Sequence, residues 1–507
     1  MKINTKKLKY GTAAMAITIA VIVLVILVNV IIALASDRVN MNLDLTPNKD
    51  FAITDETKDY LASLTENVEI CTTVDEVTFQ NSDSKYIKQA YEVLKKYAAG
   101  SDKISLNFVD MTVNPTYAEK YKQYYSGSIS ENSIVLFNED TKRIKVISIN
   151  DLFNTEINYY TMSQSIVSSK AEKTLTSSIM YITDPDPKTA VYLDIITESV
   201  VGGNVQSMLE DDGFEVVKID PLAEEIPAEA SLIVINAPLN DFSEDLVDKL
   251  YSFMENDGNY GKNMIYIAST SQNATPNIDA FLEEWGVKVV SGIVSDSNQQ
   301  NILSGSGGYG FITYIGSSGT ISSGDGASDS YTGGIPSETL ENPIALSYIR
   351  PVELLFDHRG NVSAYSLLNT SETGYALTEE MTREYSETGV MPEIKETAMP
   401  VITLSNKYVF KNNEQLLSNL IVIGSDEILN NGYTSQTYLN NGNYFISIVN
   451  KISGKENGID IIDKDLSGQT YQATEAQLSA MRVLFMFIVP GAAAVVGIVV
   501  WLRRRHK

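Results

Sequence analysis

Ile226-Pro-Ala-Glu-Ala-Ser-Leu-Ile-Val-Ile-Asn-Ala-Pro238 is the stretch of this 507-residue chain from which a fold can be read. Residues 231–236 form an apolar strand, and Pro238 turns the chain. Ser243 then caps a helix with Leu246/Val247, Leu250/Tyr251 and Met254 on one face, closed by Asn256-Asp257-Gly258. Residues 264–268 form the next strand. Upstream, strands at 190–195 and 214–219 flank a helix that starts over 204–209. Strands and helices alternating through short connectors require right-handed crossovers, and hence a parallel sheet with helices on both faces. A helix at 278–285 and a strand at 287–290 continue the pattern. Further strands are expected at 364–368, 400–404, 420–424 and 459–462, with a helix near 444–452.

A smaller α/β unit precedes this sheet. Its order is a helix at 54–64 capped by Thr54, a strand at 68–73, a helical stripe through Ile87, Ala90/Tyr91 and Leu94, and a strand at 104–109. A helix at 115–125 and two strands, 133–137 and 143–149, complete it. This order is similar to a thioredoxin-like domain without its chemistry. The chain reads Cys71-Thr72-Thr73-Val74 where such enzymes carry Cys-x-x-Cys, and no proline precedes Ser133. Cys71 is expected as a small buried core residue.

The two ends are of a different kind. Residues 10–36 are uncharged and follow Lys2, Lys6, Lys7 and Lys9; residues 483–502 are uncharged and precede Arg503, Arg504, Arg505, His506 and Lys507. A helix crosses the ~30 Å hydrocarbon layer with about 20 apolar residues. The first run exceeds the roughly 7–15-residue apolar stretch of a signal peptide, which favours an uncleaved anchor. Cations outside both runs place both termini in the cytoplasm and everything between them beyond the membrane. The net charge of −26 argues against a nucleic-acid partner. One cysteine and two histidines preclude an internal disulfide framework and leave a zinc site almost no ligands. A serine or cysteine mechanism would have to run through His358, since His506 lies in the basic tail.

The expected organisation is a cytoplasmic tail (1–9), a transmembrane helix (10–36) and a thioredoxin-like α/β domain (37–160). A connecting segment (161–187), a second α/β domain (188–470) and a juxtamembrane segment (471–482) follow, then a transmembrane helix (483–502) and a tail (503–507). Within the second domain, 18 of the 31 residues from 304 to 334 are Gly or Ser. Gly305-Ser306-Gly307-Gly308-Tyr309-Gly310 lacks the strand before and helix after that a phosphate loop needs, so a mobile surface excursion is expected.

Several stretches, in this order and spacing, resemble GldG-like auxiliary components of ABC transporters, a family named for gliding motility. They are Leu43-Asp-Leu-Thr-Pro-Asn-Lys-Asp-Phe-Ala-Ile-Thr-Asp-Glu-Thr57, the 226–238 stretch, Pro276-Asn-Ile-Asp-Ala-Phe-Leu-Glu-Glu-Trp-Gly286 and Ile421-Val-Ile-Gly-Ser-Asp426. The final Pro490, Gly497, Trp501 and Arg503-Arg504-Arg505 belong with them. The resemblance runs nearly end to end. It implies a thioredoxin-like N-terminal domain, a central flavodoxin- or glutamine-amidotransferase-like domain, and an ABC permease and ATPase as partners. The chain departs from the family at Ile195-Ile196-Thr197-Glu198, where many relatives read Gly-His-Gly-Glu, so no role of that histidine carries over.

In an open parallel sheet, ligands bind beyond the carboxyl ends of the strands. Those ends carry Thr197, Glu198, Asn236, Ser269, Thr270, Ser425 and Asp426, candidates to line a crevice for a sugar, a peptide or a partner segment. The bland alternative is that they begin loops and cap helices. Asp463-x-Asp465-x-Ser467-Gly468 imitates half a calcium loop, but position twelve is Thr474 and Glu475 stands one place late, so no metal is expected. No nucleotide-binding Gly-x-x-x-x-Gly-Lys-Ser/Thr loop is present, so ATP chemistry falls to a separate protein. The expected function is a non-enzymatic, cofactor-free extracytoplasmic auxiliary subunit of an ABC-2-type transporter in a bacterial cell membrane. The alternative is a ligand-binding receptor or an ectoenzyme.

Overall fold

The structure, a computed structural model, describes residues 50–464 apart from 112, 115, 126, 159–162, 195–203, 304–305, 316–319, 323–327, 336–338, 391, 413, 437, 456–460 and 462. Both apolar end runs, 10–36 and 483–502, lie outside the described residues. Among the described residues no helix is long and apolar enough to cross a membrane. The chain is mixed α/β, with parallel and antiparallel sheets.

The first sheet has four strands: β1 (Val68–Thr72), β2 (Ile104–Phe108), β3 (Ser133–Asn138) and β4 (Ile144–Ser148). Their order is β2-β1-β3-β4, with β1 and β2 parallel and the other pairs antiparallel. Alternation along the strands splits the apolar residues between two faces. Val68, Ile70, Ile134 and Leu136 join a core built with helices Asp55–Ser63 and Lys85–Gly100. Cys71, Val135 and Phe137 face the other way, onto Tyr121. Only the 3-10 turn Tyr117–Tyr121 forms within the helix expected at 115–125.

Of residues 161–187, expected as a connection, 163–183 form a strand and a helix. The hairpin β5 (Phe153–Asn158) and β6 (Ser163–Ser169) leads into a helix, Ala171–Thr183, whose Leu175, Ile179 and Ile182 complete the first core. Thr and Ser between these residues dilute its apolar stripe in the sequence. The side chains at four-residue spacing nevertheless share one face.

The second sheet begins with β7 (Thr189–Leu193), β8 (Glu215–Ile219), β9 (Leu232–Asn236) and β10 (Asn263–Ile267). Its eight strands run His358–Arg359, Val362–Asn369, Pro400–Lys411, Glu414–Ile423, β10, β9, β7, β8. Glu414–Ile423, β10, β9, β7 and β8 are parallel, and the remaining three extend the sheet antiparallel. Every residue of β9 is buried because both faces are covered. Leu232 and Val234 pack with Val205, Leu209 and Tyr444; Ile233 and Ile235 pack with Leu246, Leu250 and Phe281. Each such side chain contributes about 2 kcal/mol by leaving water.

The Gly/Ser-rich stretch 304–334 departs from expectation. Its described parts include a strand, Gly310–Thr313, paired with Ile344–Ser347, and Phe311, Ile315 and Tyr331 are buried in the main core. The apolar residues interspersed among Gly and Ser anchor it there. Downstream, Gly424 permits a close crossing, since a Cβ there would lie 2.8 Å from the Arg350 carbonyl oxygen.

Candidate functional site

The parallel strands lie in the order Glu414–Ile423, β10, β9, β7, β8, so the chain runs outward from β7 to β8 and then returns to the other side of β7 as β9. The carboxyl ends of β7 and β9 therefore form a topological switch point, where a crevice opens in folds of this kind. Asn236 ends β9 there and is 1% exposed. Its Nδ2 donates to the Tyr192 hydroxyl at 2.9 Å, while its Oδ1 is buried with no hydrogen-bond partner among the described residues. Ala237 follows at φ 45°, its N–H held by the Ile267 carbonyl at 2.8 Å. A non-glycine residue in the left-handed region is sterically disfavoured and held by its surroundings. Hydrolases of the nucleophile-elbow type put their reacting side chain on such a strained strand-end turn. Here that position carries a methyl group.

One network occupies the ends of the next two strands. Gln272 Oε1 accepts from the Ser269 N–H (2.9 Å) and Arg350 Nη1 (3.0 Å), and Gln272 Nε2 donates to the Tyr266 hydroxyl (3.0 Å) and the Pro238 carbonyl (2.8 Å). Arg350 is buried without an ion pair among the described residues; its Nε donates to the Val290 carbonyl at 3.3 Å. Ser269 Oγ accepts from the Ser271 N–H at 3.2 Å. Ser425 is fully buried, donating to the Ser347 carbonyl (2.8 Å) and accepting from the Glu427 N–H (3.1 Å). Ser269 and Ser425 thus act as loop-forming groups. Asp426 lies at the same strand end and is 3% exposed. Thr197 and Glu198 lie outside the described residues.

The structure separates the remaining candidates from this crevice. His358 pairs with Ser363, Ser363 with Asn406, Asn406 with Asn419, and Asn419 with Asn263, the first residue of β10. It therefore sits level with the amino end of that strand, exposed, and cannot serve a base role at the carboxyl ends. Cys71 is buried in β1, and burial pushes its thiol up to about 11. The Asp463 carboxylate accepts from Asn154 Nδ2 at 2.7 Å, and burial raises it above the usual carboxyl range. The other positions of the calcium-like segment, Asp465 to Glu475, lie outside the described residues. Ala237 and Arg350 escaped the sequence reading because strain and missing counter-charge arise only from tertiary packing. The Asn-Ala-Pro turn after an apolar strand was the available signal.

A family profile described as a domain of unknown function (DUF7088) matches residues 47–153, the segment that contains the four-stranded sheet. No curated protein matches. Among solved structures, the chain is similar to a Thermoplasma acidophilum protein assigned only provisionally to GMP synthase, as one of its subunits. Identity is 9%, coverage is 53% of this chain and 95% of that one, and the TM-score is 0.24.

Proposed function

We propose that this chain is a membrane-anchored extracytoplasmic auxiliary subunit of an ABC-2-type transporter, without catalytic activity of its own. In this reading residues 10–36 and 483–502 are its two spans in a bacterial cell membrane, with both termini cytoplasmic. The β2-β1-β3-β4 sheet is a thioredoxin-like domain, and the parallel sheet is of the flavodoxin or glutamine-amidotransferase type. ATP hydrolysis and the translocation path belong to partner proteins.

The observation that carries this reading is where the body begins and ends. Lys464 Nζ donates to the Ala52 carbonyl and pairs with the buried Glu172 carboxylate at 3.2 Å; Glu172 also accepts from the Thr54 N–H (2.6 Å) and hydroxyl (2.8 Å). Backbone hydrogen bonds of 2.8 Å in both directions join Ser169 to Lys464. The clamp holds residues 52–54 beside Lys464, which brings together the stretches that lead to the two end runs and supports a body tethered through both. The methyl group at the strained Ala237 turn supports a non-catalytic role.

A second reading, a ligand-binding receptor, is favoured by one feature: the Asn236 Oδ1 acceptor, buried at the switch point without a donor among the described residues. Affinity purification of the full chain from mildly solubilised membranes tests the first reading. Co-purification of a multi-span permease and an ATPase is expected; recovery of the chain alone would contradict it. Calorimetry against sugars and peptides separates the receptor reading.

A further inference from the structure

We infer that the cleft between the two sheets is a docking site for an extended peptide of a partner protein, which adds itself as a strand to the free edge of β4. This inference does not depend on membrane anchoring. The cleft is about 800 Å³ and is lined by six consecutive residues, Lys142 to Ile147, on one wall and by Phe214, Glu215 and Val216 on the other. Successive side chains of a strand point to opposite faces of its sheet. Four of the six, Ile144 to Ile147, belong to β4, and four strand residues in a row can line one cleft only if it runs along the strand's edge.

Both walls are sheet edges. Among the described residues, β4 pairs only with β3, and β8 only with β7. The N–H of Asn138 bonds to the Arg143 carbonyl and that of Ile149 to the Asn132 carbonyl. With Ile134 opposite Ile147 and Leu136 opposite Lys145, the alternation of an antiparallel ladder turns the N–H and C=O of Lys145 and Ile147 inward. Those of Ile144 and Val146, and the Ser148 N–H, point out of the sheet with no partner among the described residues, while the Ser148 carbonyl opens the 3-10 turn Ile149–Leu152. On β8, the Glu215 N–H and Ile219 carbonyl bond toward β7, which leaves Val216 and Lys218 facing outward. An extended main chain supplies the complementary donors and acceptors, the basis of recognition by strand addition. Five residues along β4 offer about 17 Å of edge.

The side chains select the occupant. Val146, Tyr124 and Tyr125 all pack against the cluster around Tyr121 and Phe137 on one side of the edge, and alternation puts Lys145 on the other. Residues 141–150 carry Lys142, Arg143 and Lys145 and no carboxylate, in a chain of net charge −26. The opposite wall supplies Glu210, Asp211 and Glu215, and Asp151 lies at the end of the cleft. Glu210 already reaches Lys145 at 3.4 Å from across the cleft, while Lys170 holds Asp211 at 2.6 Å. Lys145 is thus a cation that a carboxylate reaches from within the cleft, and an acidic side chain of the added strand would take the place of Glu210 there. The occupant is a strand with aliphatic residues against the tyrosines, alternating with acidic residues against Lys145.

The test uses the full chain and a fluorescent, end-blocked peptide of three Val-Glu repeats, read by anisotropy and by amide hydrogen exchange. Saturable binding is expected, with slowed exchange at Ile144, Val146 and Ser148. Val146→Pro removes one outward N–H from an edge position, which strands tolerate, and should weaken binding about fivefold to tenfold. If that variant fails to fold, Lys145→Glu and a backbone N-methylated peptide decide, each expected to weaken binding. Binding that ignores all three changes, or absence of binding with unchanged exchange, overturns the inference. So does a self-association of the chain that Val146→Pro abolishes, because the edge would then belong to a second copy.

Discussion

Four donors converge on the Asp296 carboxylate: the Ser371 hydroxyl (2.5 Å), the Thr373 hydroxyl (2.7 Å), Asn301 Nδ2 (3.0 Å) and the Asn298 N–H (2.8 Å). Burial alone would raise this carboxyl, but the hydrogen bonds outweigh it and hold it below the usual range. A lowered folded value contributes stability that is present above the unfolded value of about 3.9 and lost as pH falls through the folded value. Asp296→Asn should therefore cost about 1–3 kcal/mol at neutral pH, with the difference from wild type shrinking towards pH 3 in urea titrations. A constant difference across that range would refute the assignment. Asp212 and Asp463 act in the opposite sense, since burial raises both and acidification relieves the cost. Cys71 yields a second prediction at this scale. Its buried thiol, pushed up to about 11, should resist maleimide in the folded protein and react only after unfolding. The Ser371 and Thr373 hydroxyls stand 75 and 77 residues from Asp296, so spacing could not reveal them; only the Asn298 and Asn301 donors are local in sequence.

At the scale of elements, legibility followed burial on both faces. The runs at 231–236, 264–268 and 420–424 read directly as strands because helices cover both sides of that sheet. Thr54 and Ser243 do cap their helices, accepting from the N–H groups of Thr57 (3.2 Å) and Leu246 (3.3 Å). What escaped was whatever depends on a partner distant in sequence. The helix Ala171–Thr183 looks polar until Leu175, Ile179 and Ile182 meet the first sheet. Ile179→Ala should destabilise the chain by about 2–5 kcal/mol, measured by urea unfolding. A loss below about 0.5 kcal/mol, typical of surface changes, would mean that this helix is not part of the core. Of the candidate site, the sequence located the strand ends but could not distinguish Ser269 and Ser425, whose hydroxyls shape loops, from Asn236, whose buried Oδ1 has no donor among the described residues.

For the whole molecule, the clamp at Lys464 ties the last described residues to the first. Lys464→Ala would leave Glu172 buried without its cation and should cost about 3–5 kcal/mol, seen as a lower Tm and faster amide exchange around residues 52–54. An unchanged Tm would show that the two ends hold together by other means. Cys71 being buried also makes the topology directly measurable, because single-cysteine variants report against a silent background. Phe410 is 68% exposed and His506 lies in the basic tail. In intact cells a membrane-impermeant maleimide should label Phe410→Cys and leave His506→Cys unlabelled until the membrane is opened. Labelling of His506→Cys with protection of Phe410→Cys would contradict the extracytoplasmic body and the transporter partnership proposed for it.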